Sequence, residues 1–362
     1  MGLLDRTKRG LWSVFVRRHE AVRLRKRLLA VLGIVAVLAV GLLFFRWVTD
    51  SLGLGEREVL LGATFSKSYA EELGLDWEEA YLATLDDLGV RALRIPVYWT
   101  DIEEEKGEFD FSVTDWQLKE ASDRNVKVVL AVGMKLPRWP ECHIPEWAKG
   151  LSQDELHLRT LNMLAATVDH YSKSPHFAAW QVENEPFFAF GECPPPDRHF
   201  LQREIAVVRS KDSRPVIITE SGELSTWVSA ASVADILGIS TYRSVWNRYI
   251  GYFFWPVTPG WYAQRISAAT KFVDGVFVSE LQAEPWGPGP IADMDIELQL
   301  KHMNPQKLRD NVVFVRRMGV PEAYLWGVEW WYWLKEQGHP EMWEEGRKLF
   351  RGDIINGGTF QF

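Results

Sequence analysis

Two glutamates stand where acid–base chemistry is possible. Glu185 follows the apolar run 177–182 in the segment Trp-Gln-Val-Glu-Asn-Glu-Pro, and Glu280 follows the apolar run 275–279. Two carboxyl groups that face each other across a glycosidic bond can cleave it, because one donates a proton to the leaving oxygen while the other attacks or activates water. A lone loop glutamate is usually a solvated surface residue, so the prediction depends on the pairing of these two.

Carboxylates that act together need a frame, and the sequence contains a repeating one. Short runs rich in Val, Ile and Leu alternate with amphipathic stretches, as expected for strands buried on both faces with helices between them. The predicted strands are 59–65, 90–95, 126–132, 177–182, 215–219, 234–240, 275–279 and 323–328. The predicted helices are 77–88, 156–171, 200–209, 263–272 and 307–318, with Asp76 and Asp154 as N-caps and Gly89 and Gly319 as stops.

The alternation predicts an α/β protein with one closed (β/α)8 TIM barrel, which needs eight strands over roughly 250 residues or more. An open, doubly wound sheet is the competing arrangement, but its phosphate-binding glycine fingerprint is missing after residues 59–65. Functional residues of a barrel lie on the loops that follow the strands. Glu185 after the fourth strand and Glu280 after the seventh would therefore face the same end of the barrel.

The N-terminal region predicts a membrane anchor. Residues 28–45 carry no charge and, as a helix, would span roughly 27 Å, near the thickness of a bilayer core. We predict a basic cytoplasmic segment at 1–27, a single transmembrane anchor at 28–47, a linker at 48–57 and an extracytoplasmic catalytic domain at 58–362. A cleaved signal peptide is the alternative, although Phe44-Phe45-Arg46-Trp47 is a poor cleavage site.

The charges and cysteines narrow the possible partners. The chain has a net charge of −8 although residues 1–27 are strongly basic, so the remaining body is acidic and does not suit the binding of nucleic acid.

The two cysteines, Cys142 and Cys193, follow neighbouring predicted strands, which favours a disulfide over two free thiols. Neither their number nor their spacing suggests zinc, and the predicted chemistry needs no metal or organic cofactor.

Arg94 is a charged residue inside the apolar segment 90–95. A buried guanidinium without a partner is costly, so Arg94 requires a carboxylate. That carboxylate belongs either to the predicted site, where the positive charge would favour its ionised form, or to a structural ion pair.

The tripeptide Asn184-Glu185-Pro186, placed after the fourth predicted strand, resembles the glycoside hydrolases of clan A. The resemblance covers residues 59–333, and different parts of it resemble families 5, 39 and 42. It implies that Glu185 is the acid/base, that Asn184 binds the sugar 2-hydroxyl and that Glu280 is the nucleophile. Glu284, four residues further on, is the alternative nucleophile.

The same resemblance implies roles for several other residues. Arg94 and Tyr242 would hydrogen-bond the nucleophile, and Trp326 would form the floor under a bound sugar, with Trp330 as the alternative. Trp99 and Trp139 would border the substrate, although core packing is the competing role for Trp139. Independently of the resemblance, Glu220 follows the fifth predicted strand and would bind substrate or support the site, and residues 249–255 would form a further wall or a patch near the membrane.

These inferences predict a retaining glycosidase that cleaves β-linked oligo- or polysaccharides by double displacement. Two alternatives use the same site. Transglycosylation would transfer the sugar to an acceptor other than water, and a barrel without activity would only bind carbohydrate. The identity of the sugar and the choice between exo and endo action stay open.

Overall fold

The computed structural model describes residues 27–45, residue 48 and residues 55–352. Two compact units divide near residue 52. The first contains helix α1 (Arg27–Phe45), which is long and apolar enough to cross a membrane and could be a membrane span or a signal sequence. The predicted basic segment, the end of the predicted anchor and most of the predicted linker lie outside the described residues.

The second unit is built on a closed barrel of parallel strands, so the predicted TIM barrel is confirmed. The eight barrel strands correspond to the predicted ones with shifted ends: β1 (Leu60–Thr64), β2 (Ala92–Pro96), β3 (Lys127–Val132), β4 (Ala179–Val182), β5 (Val216–Glu220), β6 (Ile236–Thr241), β9 (Gly275–Gln282) and β10 (Glu322–Trp326). Strands β7 (Ser244–Asn247) and β8 (Gly251–Phe254) form a separate antiparallel hairpin after β6. This hairpin contains most of the predicted segment 249–255.

Helices follow the barrel strands as the amphipathic stretches predict. They are α2 (Lys67–Glu72), α3 (Trp77–Ala83) with its π-helical extension Thr84–Leu88, α4 (Trp99–Ile102), α5 (Ser112–Asp123), α6 (Gln153–Tyr171), α7 (Arg198–Lys211), α8 (Val228–Ala231), α9 (Pro259–Ala269), α10 (Ile296–His302), α11 (Pro305–Arg316), α12 (Val328–Glu336) and α13 (Glu341–Gly352). Short 3₁₀ turns occupy Glu146–Ala148 and Ile291–Asp293.

The predicted helix ends are mostly correct. The Asp76 side chain accepts hydrogen bonds from the first turn of α3, and Gly89 and Gly319 adopt the left-handed conformation that ends a helix. The prediction of Asp154 as an N-cap is wrong. Ser152 caps α6 instead, because its hydroxyl accepts from the Glu155 amide while the Glu155 carboxylate reaches back, completing a capping box.

The barrel interior is apolar at one level and polar at the next. One residue from each barrel strand contributes to a closed apolar layer: Leu60, Ala92, Val129, Ala179, Ile217, Ile236, Phe277 and Tyr324. Side chains two residues further along a strand point to the same face. Arg94 follows Ala92 in this way, and Gln181 follows Ala179, so polar groups lie directly above the apolar layer.

Strand β9 departs from simple alternation at the point that matters for the site. Val278 pairs with Ile239, but the next residue of β6, Ser240, pairs with Glu280, so one extra residue is accommodated at Ser279. Such a bulge re-aims the side chain that follows it. Phe277 points into the barrel, so strict alternation would turn Glu280 outward; the bulge returns Glu280 to the interior face beside Ser240.

Candidate active site

Glu280 is held from two sides. The Arg94 guanidinium donates from Nη1 to Glu280 Oε1 over 2.9 Å, and the Tyr242 hydroxyl donates to Oε2 over 2.9 Å. The structure therefore brings together the three residues that the sequence assigned to the nucleophile and its partners. With one donor on each oxygen, the carboxylate is fixed in orientation and its negative charge is stabilised.

Arg94 is fully buried. Its other nitrogens donate to Gln181 Oε1 and Asn184 Oδ1, each over 2.7 Å. The guanidinium therefore has a protein acceptor at Nε and at both terminal nitrogens and no surface for a ligand. Arg94 therefore reaches the site through Glu280 and Asn184, and its predicted contact with substrate stays a prediction.

Glu185 lies directly after β4 in a left-handed conformation with φ 44°. The Thr219 hydroxyl accepts from its backbone amide over 2.8 Å, and the Ser240 hydroxyl donates to its Oε1 over 2.5 Å. Left-handed non-glycine residues are costly and are retained when neighbouring contacts enforce them, often at functional sites. Burial, and then the negative charge of Glu280, raises the pKa of Glu185 to about 8.

The Asn184 side chain is oriented by three neighbours. Its Oδ1 accepts from the Arg94 guanidinium over 2.7 Å and from the Thr219 hydroxyl over 3.1 Å, and its Nδ2 donates to Glu141 Oε2 over 3.4 Å. The donors and the acceptor on opposite sides of the amide define which atom is oxygen and which is nitrogen. Asn184 can therefore offer an N–H, and not an oxygen, to a ligand.

Glu141 is a buried third carboxyl group at this site, and the sequence prediction missed it. It lies in the loop after β3 with φ 72°. Burial, and then the charge of Glu280, raises the pKa of Glu141 well above its ordinary value. The adjacent Cys142 is bonded to Cys193 with a Cα–Cα distance of 5.2 Å, so the predicted disulfide is confirmed and joins the loops after β3 and β4.

The loop after β3 is also fastened to the Asn-Glu-Pro segment by hydrogen bonds. The backbone amides of Met134 and Lys135 donate to the two carboxylate oxygens of Glu183 over 2.6 and 2.7 Å. The Lys135 ammonium donates to the backbone carbonyls of Glu185 and Phe188 over 3.0 and 2.7 Å. Glu183 thus faces away from Glu185 and positions the loop.

Glu284, the alternative nucleophile, belongs to a second buried network. Its Oε1 accepts a hydrogen bond from Nη1 of Arg138. The other terminal nitrogen of Arg138, Nη2, donates to Glu329 Oε2 over 3.0 Å. The Arg138 guanidinium lies 3.6 Å from the ring centroid of Tyr69 and 4.1 Å from that of Trp326. Burial raises the pKa of Glu284 to about 7, against the opposing effect of Arg138. This network connects the loop after β3, the segment after β9 and helix α12.

Aromatic side chains surround the carboxylate pair. Trp139 is 61% exposed and lies edge-on to Phe190, whereas Trp326 is 7% exposed and carries Arg138 against one ring. Trp286, which the sequence prediction did not single out, lies edge-on to Tyr242 at 5.1 Å and 5.7 Å from Phe190. Trp139 and Trp286 therefore offer partly open aromatic surfaces near the site.

Two of the tryptophans that the sequence placed at the site, Trp99 and Trp330, are buried. Trp99 is fully buried, donates from Nε1 to Glu103 over 2.7 Å and packs edge-on against Trp147. Trp330 is also fully buried and donates to Gln299 over 2.6 Å. Neither ring has an exposed face, so both pack in the protein core, and their predicted contact with substrate stays a prediction.

No group of three or more His, Cys, Asp or Glu residues in the described ranges has an arrangement that could hold a metal ion.

Solved structures share the barrel. The polyextremophilic β-galactosidase of the Antarctic haloarchaeon Halorubrum lacusprofundi is 16% identical with a TM-score of 0.56, over 82% of this chain and 58% of that one. A GH5_18 protein of Bifidobacterium longum is 13% identical, TM-score 0.53, over 75% and 70%. Endo-glycoceramidase II of Rhodococcus sp. is 16% identical, TM-score 0.51, over 75% and 74%. These similarities, which agree with the resemblance to clan A, establish the fold.

No protein-family model matches the sequence, and no curated protein matches it either. The chain spans 58% of the length of the haloarchaeal β-galactosidase, so the activity of that whole protein is not transferred to it directly.

Proposed function

We propose that the chain is a retaining glycoside hydrolase acting on β-linked oligo- or polysaccharides. The observation that carries the proposal is the environment of Glu280, whose two oxygens each accept a hydrogen bond, from Arg94 and from Tyr242. Glu185, whose pKa is raised to about 8, lies close enough for the charge of Glu280 to contribute to that shift. One carboxyl group is thus stabilised as an anion, while its neighbour holds a proton at neutral pH.

The reaction is a double displacement. Glu280 attacks the anomeric carbon, and the proton of Glu185 moves to the departing glycosidic oxygen, leaving a glycosyl ester on Glu280. The Glu185 carboxylate then takes a proton from a water molecule, whose oxygen attacks the anomeric carbon and releases Glu280. This chemistry requires the two carboxyl groups to lie about 5–5.5 Å apart across the bound sugar.

The surrounding residues have supporting roles. The guanidinium of Arg94 and the hydroxyl of Tyr242 keep Glu280 charged and aligned before attack. Asn184 directs its N–H toward the 2-hydroxyl of the sugar in the cleaved unit, where such hydrogen bonds strengthen in the transition state. Trp326, with Trp139 at the open edge, supplies aromatic surface for the C–H face of a sugar ring.

One structural neighbour with the same barrel supports this proposal. Endo-glycoceramidase II of Rhodococcus sp., which is 15% identical with a TM-score of 0.50 in this state, has been captured as a lactosyl-enzyme intermediate. A covalent sugar–enzyme species is the intermediate that double displacement requires.

We further propose that residues 28–47, which include most of α1, are retained as a single transmembrane anchor, with residues 1–27 in the cytoplasm and the barrel domain 58–362 outside. The uncharged run 28–45 and the basic segment that precedes it support this orientation. The Cys142–Cys193 disulfide supports an oxidising location for the barrel. Protease treatment of intact cells should digest the barrel domain; protection of that domain would contradict this orientation.

A mechanism-based probe tests the proposed reaction. A 2-fluoro β-glycoside with a good leaving group should inactivate the enzyme and add one fluoroglycosyl mass to the peptide that contains Glu280. An adduct on Glu284 would move the nucleophile to the second network. Hydrolysis of the parent glycoside with inversion and no adduct would reject double displacement.

A further inference from the structure

The backbone of Glu185 is held by hydrogen bonds on both sides of its α-carbon. Its amide donates to the Thr219 hydroxyl over 2.8 Å, and its carbonyl oxygen accepts from the Lys135 ammonium over 3.0 Å and from the Phe188 amide over 2.9 Å. These contacts hold the main chain of Glu185 at its φ of 44°, so the position of the carboxyl group depends on the rotation of the side chain.

Ser240 sets that rotation. Its hydroxyl bonds Oε1 of Glu185 over 2.5 Å, whereas Oε2 has no hydrogen-bond partner among the residues that the structure describes. Ser240 is 3% exposed, and within the described ranges its hydroxyl has no second hydrogen-bond partner. Because a buried hydroxyl that did not donate to Oε1 would leave its hydrogen unpaired, the hydrogen of Ser240 lies on the Oε1 side.

The backbone of Ser240 is fixed by its neighbours. On β6 it pairs with Glu280 of β9, directly after the bulge. A Cβ at Gly222 would lie 1.9 Å from the carbonyl oxygen of Ser240, so the loop after β5 packs closely against this residue. The strand pairing and the loop together define the place from which the Ser240 hydroxyl reaches Glu185.

We propose that Ser240 is a positioning residue for acid–base catalysis, which holds Oε1 of Glu185 and so reserves Oε2 as the oxygen that gives and takes the proton. Ser240 acts on the reaction through Glu185. This inference rests on the proposed function, because it takes Glu185 as the acid/base.

The hydrogen bond serves both halves of the double displacement. While Glu185 is neutral, the hydrogen of Ser240 occupies Oε1, and the carboxyl proton therefore lies on Oε2. After this proton has moved to the glycosidic oxygen, Glu185 is an anion, and its hydrogen bond with Ser240 becomes charge-assisted and stronger. Ser240 thus favours release of the proton in the first half, and in the second half Oε2 is free to take a proton from water.

The Ser240 hydrogen bond also acts on the acidity of Glu185. Burial, and then the charge of Glu280, raises the pKa of Glu185, whereas the Ser240 hydroxyl lowers it. The ionisable groups that face Glu185 from neighbouring elements are Lys135 and Glu141 after β3, Glu220 on β5 and Glu280 on β9. Since all of these stay in place when the Ser240 hydroxyl is removed, the pKa of Glu185 should rise further.

The test compares Ser240→Ala with the wild type on two β-glycosides of one sugar, one with a phenol and one with a dinitrophenol as leaving group. In Ser240→Ala the alkaline decline of kcat/KM for the phenyl glycoside should move upward by about one pH unit, because a donor to the anion is lost. At about pH 6, kcat/KM for the phenyl glycoside should fall by about tenfold, since the proton is no longer confined to Oε2. The dinitrophenyl glycoside should change by less than about twofold, because its leaving group departs without a proton.

Thr64→Val is the matched control. Thr64 ends β1, and its hydroxyl is buried without a hydrogen-bond partner in the described part of the chain. The change removes one buried hydroxyl at the end of a barrel strand, as Ser240→Ala does, but it removes no bond to a carboxyl group. The pH of the alkaline decline and the dependence on leaving group should both stay as in the wild type.

Two results would overturn the role of Ser240 and leave the proposed glycosidase intact. One is an alkaline decline that stays at the wild-type pH in Ser240→Ala. The other is an equal loss of kcat/KM with both leaving groups, because a general disturbance of the site does not depend on the need for a proton. A wild-type protein that cleaves no aryl β-glycoside and forms no fluoroglycosyl adduct would instead reject the proposed function.

Discussion

Two buried arginines hold carboxylates on the site face of the barrel, and they do so in different ways. Arg94 bonds one carboxylate, Glu280, and two neutral side-chain oxygens. Arg138 bonds two carboxylates, those of Glu284 and Glu329, and is clamped between aromatic rings. The Glu280 and Glu284 side chains are 6% and 9% exposed, so burial does not distinguish them.

The partners distinguish the two networks. Glu280 has a donor on each oxygen, the Arg94 guanidinium on one and the Tyr242 hydroxyl on the other. Glu284 has one oxygen bound to Arg138 and the other without a hydrogen-bond partner in the described part of the chain. Two donors on one carboxylate stabilise its negative charge. An arginine shared by two carboxylates instead holds together the elements that carry them.

The largest expected effect comes from replacing Glu280 and Glu284 with glutamine in two separate variants. Glu280→Gln removes the attacking oxygen's charge, and kcat/KM for an aryl β-glycoside should fall by on the order of 10⁴-fold or more. Glu284→Gln should lower kcat/KM by about tenfold at most, since it disturbs only the support of Arg138. Steady-state kinetics with both variants decides this, and similar losses in the two would erase the distinction between the networks.

A smaller effect should separate the two tyrosines. Tyr242→Phe removes a hydrogen bond to a charged carboxylate, so kcat/KM should fall by about 10- to 100-fold with little change in stability. Tyr69→Phe removes a buried hydroxyl that has no hydrogen-bond partner among the described residues, so activity should be unchanged and the free energy of unfolding equal or higher by about 1 kcal/mol. Kinetics and thermal denaturation check both; a large activity loss in Tyr69→Phe would make the second network part of the reaction.

The smallest expected effect is a difference in pH dependence. The pKa of Glu185 is raised from 4.5 to about 8, so its proton is present below that pH and kcat/KM should decline about tenfold per pH unit above it. Burial also raises the pKa of Glu284 from 4.5 to about 7. The stability that these protonated carboxyl groups contribute is complete below their unfolded pKa and is lost as pH rises through the folded values.

Tm should therefore decrease between about pH 5 and pH 9. Glu284→Gln should reduce this decrease and leave the alkaline decline of kcat/KM in place. If the decline of kcat/KM moved to a different pH in Glu284→Gln, the titration that controls activity would belong to the Glu284 network and not to Glu185.

The sequence predicts the barrel and the centre of the site well because both follow from local patterns. Apolar runs mark strands, and residues at the ends of parallel strands meet at one face. Arg94, Glu185, Glu280 and Tyr242 all stand at or near such ends, so their assembly was predictable. The disulfide was predictable for the same reason, since Cys142 and Cys193 follow neighbouring strands.

The remaining features depend on backbone details that no local pattern carries. Glu141 reaches the site through a left-handed loop residue, and Glu280 faces inward because of a bulge at Ser279. Trp99 stands just after a strand as a substrate residue would, yet it begins a helix and its ring packs into the core. Position along the chain does not specify the direction of a side chain where the regular repeat is broken.

The Cys142–Cys193 bond has a practical consequence for work with this protein. It closes a loop with a sequence separation of 51, which is worth about 4 kcal/mol in the chain-entropy model, and it adjoins Glu141, the third buried carboxyl group of the site. Protein produced in a reducing cytoplasm would have the same residues but two loops that are no longer tied together. Preparations should therefore be compared only after thiol titration has established that they are equally oxidised.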